Sequence, residues 1–152
     1  MKPFCVLAAL LLASYPQPTP PSIQAKVDAE IKRLSSCENV FSTSPPPIHV
    51  RVVWRTPSNI KMVSMVSEKG SPTYKAQIEF DILYEQSQFF ATDEEAAAAT
   101  TFTTLFPTRQ RNTYTVSEDQ IRISKRESFL SGKWETQKEN VPKFACWQTL
   151  PQ

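Results

Sequence analysis

His49 is the only histidine in the chain, and imidazole is the side chain whose charge ordinarily changes near neutral pH. It opens the run IHVRVVWR beside Val50 and Val52, where it could face a cavity and act as a base. A base of that kind needs a second titratable group within reach; Glu79, Asp81 and Glu135 are the candidates, and nothing in the spacing singles one out. The expectation is therefore a strand-edge histidine, with a small hydrolase or isomerase-like enzyme built around His49 as the alternative. Asp93, Glu94 and Glu95 are adjacent carboxylates of the type that binds hard cations, but three acids at a helix start serve the helix dipole. No metal site and no cofactor is expected. With Gly70 and Gly132 the only glycines, neither a nucleophile elbow nor a glycine-rich phosphate loop can be built.

Arg109, Arg111, Arg122, Lys125 and Arg126 form a basic band with Tyr114 nearby as a stacking surface, yet Glu118, Asp119 and Glu127 interleave with it. A solvated, mixed-charge face is the expected reading. The whole chain has 17 Lys and Arg against 15 Asp and Glu, for a formal charge of +2. Such a balance gives no electrostatic reason to expect nucleic acid as a partner.

Large aromatics carry the remaining signal. Trp54, Trp134 and Trp147 lie in three separate strand-like runs, and Tyr74 and Tyr84 bound the alternating segment TYKAQIEFDILY. Aromatics near strand ends can line the open mouth of a curved sheet. Trp54, Tyr74, Tyr84, Trp134 and Trp147, with His49, are the candidate binding residues. The other face of that segment, Lys75, Gln77, Glu79 and Asp81, reads as solvated and inert.

The N-terminus reads as an export signal: Lys2 precedes the apolar run FCVLAALLLA, too short for the roughly 20 residues that cross a bilayer and suited to a secretory leader. Residues 1–14 are expected to be the signal peptide, 15–22 a proline-rich spacer, and 23–152 a single exported domain, periplasmic or extracellular, with no stable membrane anchor once the leader is removed. Cys5 leaves with the leader, so Cys37 and Cys146 are expected to pair as a disulfide in an oxidising compartment. Closing a loop of that length is worth about 4–5 kcal/mol in the chain-entropy account.

The elements that must position these residues follow from periodicity and punctuation. Ile23, Val27, Ile31 and Leu34 recur at helical spacing, predicting a helix over 23–36 with Ser22 as its cap and the intervening charges outside. Strands are predicted over 48–55, 60–67, 73–86, 112–117, 120–129, 133–140 and 143–150, separated by Pro57, Gly70, Ser131-Gly132 and Pro142. Thr92 and Glu95 form a capping box that predicts a short helix over 93–100.

Short links between sequential strands favour an antiparallel meander. The predicted fold is α+β: an N-terminal helix on a curved antiparallel sheet of about six or seven strands, with the second short helix. In element order this is similar to the cystatin and nuclear-transport-factor families, in which a curved sheet wraps a helix. Neither family's motifs are present, the glutamine-valine-glycine loop of cystatins included, so no function is carried over. The expectation is a disulfide-clamped, non-catalytic binding domain for a small apolar ligand or an envelope or extracellular protein. The third alternative is an inhibitor or immunity-type protein acting through loops such as STSPPP or SEKGSP.

Overall fold

The computed structural model describes residues 18–44, 46–137 and 146–148. The leader, residues 15–17 of the spacer, residues 138–140 of the strand expected at 133–140, and all but 146–148 of the strand expected at 143–150 lie outside these residues. Helix α1 spans Pro21–Ser35. Pro21 takes the first helical position, where its missing N–H costs nothing, and the amides of Ile23 and Gln24 reach the Pro20 carbonyl at 3.0 and 3.1 Å. Ser22 is inside the helix and not its cap, contrary to expectation: the preceding prolines set the entry. Lys32 and Arg33 occupy the last turn, where cations suit the helix dipole.

Among the described residues seven strands form one antiparallel sheet: β1 (Val40–Thr43), β2 (Arg51–Trp54), β3 (Ser58–Ser67), β4 (Tyr74–Gln86), β5 (Thr103–Val116), β6 (Ile121–Leu130) and β7 (Lys133–Thr136). Pro57 divides one long strand: β2 pairs the Gln86 end of β4 and β3 pairs the Tyr74 end, both on the same edge. The result is a meander whose second member is broken at a proline. Register shifts within β3 and between β4–β5 and β5–β6 mark bulges, which bend and twist a sheet locally. Ser131 and Gly132, both at positive φ, make the two-residue β6–β7 turn, as such hairpins require.

Strand β5 is more than twice the length expected: Thr103 onward pairs the end of β4, so Thr103 and Thr104 enter a strand. Helix α2 is correspondingly short, Asp93–Ala97. Of the four alanines 96–99 only Ala96 and Ala97 lie in it, with Ala98 as its C-cap, and the sheet takes the chain from Thr103. The segment β1 has no counterpart among the predicted strands. Cys146, Trp147 and Gln148 form a turn and not a strand.

The core lies between α1 and the inner face of the sheet. Ala76, Ile78, Phe80 and Ile82 of β4 are buried with Ile23, Val27 and Leu34 of α1, Tyr114 and Val116 of β5, Cys37 and Trp147. Alternation along β4 thus supplies the packed face as predicted. Cys37 and Cys146 are joined as a disulfide, Cα–Cα 5.9 Å, fastening the residue just past the helix to the C-terminal turn.

Candidate functional site

Trp54 and Tyr84 face each other across the β2–β4 pairing, ring centroids 5.4 Å apart and tilted by 59°. They begin the floor of a cavity of about 240 Å³ that continues through Ile82, Thr108 and Gln110, Ser128 and Leu130, to Gln137. These positions run across β2, β4, β5 and β6 on the helix side of the sheet. Trp147, 2% exposed, reaches the same cavity from the C-terminal turn.

Three side chains from three elements hold that turn by its successive carbonyls. Arg33 Nη1 of α1 donates to the Cys146 oxygen at 2.6 Å, Asn112 Nδ2 of β5 to the Trp147 oxygen at 3.0 Å, and Arg126 Nη2 of β6 to the Gln148 oxygen. Turn carbonyls removed from water need such partners. With the disulfide they fix where the Trp147 indole sits.

Behind the turn is a buried polar network. Glu30, 4% exposed, accepts two bonds from the Arg33 guanidinium at 2.6 and 2.7 Å and one from the Tyr114 hydroxyl at 2.8 Å. Asn112 Nδ2 also reaches the Tyr114 oxygen, at 3.1 Å. The Glu30 bond raises the pKa of Arg33, so the guanidinium stays charged. Glu30 was expected on a solvated helix face; its reach to Tyr114 turns it inward, while Ile31 is only half-buried.

The aromatic candidates divide. Trp54, Tyr84 and Trp147 meet at one cavity, whereas Tyr74 packs at the edge of the core at the far end of β4. Trp134 is on the other face of the sheet, edge to face with Phe129 at 5.3 Å and covered by the Arg111 guanidinium at 3.8 Å. Strand β7 has two faces, and only pairing with β6 decides which one Trp134 takes. Gln110, Ser128 and Gln137 were not singled out from sequence; their alternation along paired strands is the signal that would have placed them inward.

The outer face is less simply solvated than expected. Glu79 is 8% exposed, bonded by Arg111 at 2.6 Å and approached by Lys61 at 3.9 Å, while Lys125 pairs with Glu127 at 2.7 Å. The basic band is thereby split: Arg111 and Lys125 are neutralised on this face, and Tyr114 is buried on the opposite one, away from stacking partners.

His49 does have an acidic neighbour, which is none of the three proposed. Its Nδ1 lies 2.7 Å from Asp93 Oδ1, at the start of α2, and its backbone bridges Phe90. Asp93 is thus spent on His49, and Glu95 Oε2 on the Ala91 amide at 3.1 Å. Among the described residues no group of three or more His, Cys, Asp or Glu is placed to hold a metal ion, and no helix is long and apolar enough to cross a membrane. No family model, curated protein or solved structure matches the chain.

Proposed function

We propose that the chain is an exported, disulfide-clamped, non-catalytic binding domain for a small apolar ligand, and that the ligand occupies the cavity between Trp54, Tyr84 and Trp147. One observation carries this reading: the three aromatics come from distant parts of the sequence and line one cavity of about 240 Å³ with Ile82 and Leu130. Concave, mainly apolar pockets with a few polar groups are the usual form of small-molecule sites. The disulfide beside Trp147 supports an oxidising compartment.

The test uses the oxidised protein and its own control. Indole N–H resonances of Trp54 and Trp147 should move when small neutral apolar compounds such as 2-naphthol and 1-octanol are added, while that of Trp134 stays still. If neither compound moves them, the cavity is not a ligand site. The His49–Asp93 pair favours the hydrolase-like reading instead; loss of a measured activity in a folded His49→Ala variant would establish it.

A further inference from the structure

Resting on that reading, we infer that the ligand is an uncharged aromatic compound of one or two rings carrying a single hydroxyl or carbonyl group. Charge is decided by the lining. Among the described lining residues only Tyr84 carries an ionisable side chain. Burial raises its phenol pKa, keeping it neutral. An ionised ligand would lose its hydration with no opposite charge among the described lining residues to meet it.

Size follows from the volume. An apolar cavity of about 150 Å³ takes benzene, so about 240 Å³ suits one substituted ring or two fused rings. Shape follows from the walls: Trp54 and Tyr84 are fixed as a cross-strand pair, and Trp147 is fixed by the hooked turn. Planar, preorganised walls favour planar guests, because ring–ring contacts add attraction beyond area burial.

The polar end selects the functional group. Gln110 Oε1 accepts from Ser128 Oγ at 3.0 Å and from Gln137 Nε2. Gln137 Nε2 also reaches Ser128 Oγ at 3.0 Å, and Gln137 Oε1 accepts from Gln148 Nε2 at 3.0 Å. This network consumes the amide oxygens and fixes the orientation of Gln110. Among the described residues nothing accepts from Gln110 Nε2, and that nitrogen is not one of their sealed-off atoms, so it stays open to a guest. Thr108, two residues away on the same strand face, adds a hydroxyl. The site therefore presents a spare donor, which a ligand oxygen satisfies.

Four probes separate the claims by calorimetry on the oxidised chain, with the Trp54 and Trp147 resonances reporting the location. 2-Naphthol should bind tightest, naphthalene about 2–10-fold weaker for want of a hydrogen bond, 1-octanol weaker again, and naphthalene-2-carboxylate at least about 100-fold weaker. Gln110→Leu or Thr108→Val should reduce the preference for 2-naphthol over naphthalene while the tryptophan shifts persist. If 1-octanol equals or exceeds 2-naphthol, or if the carboxylate binds as well, the ligand class is wrong and the cavity reading stands. If none of the four moves the two tryptophans, the cavity reading itself falls.

Discussion

The Tyr114 hydroxyl donates to Glu30 Oε1 at 2.8 Å, joining the C-terminal end of β5 to α1 in a place where both residues are withdrawn from water. Tyr114→Phe removes a donor from a buried carboxylate and the acceptor of Asn112. We expect it to cost about 1–3 kcal/mol, read as a lower urea midpoint with an unchanged slope.

The same residue sets an alkaline limit. Burial, reinforced by the Glu30 carboxylate, pushes the Tyr114 phenol far above its ordinary value. The folded chain thus holds this proton more tightly than the unfolded chain. Its contribution is complete below about pH 10 and declines as pH rises beyond that, by up to about 1.4 kcal/mol per pH unit. Phenolate absorbance from Tyr114 should appear only with unfolding. Its appearance in a protein that is still folded would contradict the buried placement.

The Cys37–Cys146 link closes a separation of 109 residues, for which the chain-entropy account gives about 4–5 kcal/mol. The paired Cys37→Ser, Cys146→Ser variant should lose a stability of that order, and the native protein should show no free thiol with an alkylating reagent. Two alkylated cysteines in the native protein would refute the pairing.

Trp54 and Trp134 lie on opposite faces of the sheet and should behave differently. Trp54→Ala is expected to abolish the naphthol-induced shift of Trp147. Trp134→Ala should leave binding unchanged and cost roughly 0.5–2 kcal/mol through the lost contact with Arg111. Charge reversal at Glu79 is no longer expected to be silent, because it would set a cation against Arg111 and Lys61. Glu79→Lys should lower the melting temperature, with ligand affinity unchanged in the protein that remains folded.

At the β3–β4 turn, Glu68 accepts from Thr73 Oγ1 at 2.5 Å and meets Lys75 Nζ at 3.0 Å. These contacts, the Thr73 bond first, lower its pKa. A depressed carboxyl pKa stabilises the fold above the ordinary carboxyl range and ceases to do so as pH falls through the folded value. The Glu68 carboxyl should titrate below the ordinary glutamate value by NMR, and Thr73→Val should move it back toward that value.

Local chemistry determined much of this protein before any tertiary contact. Alternation in TYKAQIEFDILY fixed which β4 residues face the helix, Ser131-Gly132 dictated its hairpin, and the spacing of Ile23, Val27 and Leu34 defined the packed helix stripe. Cys37 and Cys146, read together, implied the clamp that joins them. Periodicity is a property of the chain alone, so these features needed no partner. The site was legible only in part, because Trp54, Tyr84 and Trp147 become neighbours through β2–β4 pairing and a turn carried back by the disulfide. Pairing with β6 set Trp134 on the other face, the packing of α1 on β5 drew Glu30 inward to Tyr114, the start of α2 gave Asp93 to His49, and pairing with β4 began β5 at Thr103. Each of these outcomes depends on which distant segment arrives alongside, and a residue's own type and near neighbours carry no record of that.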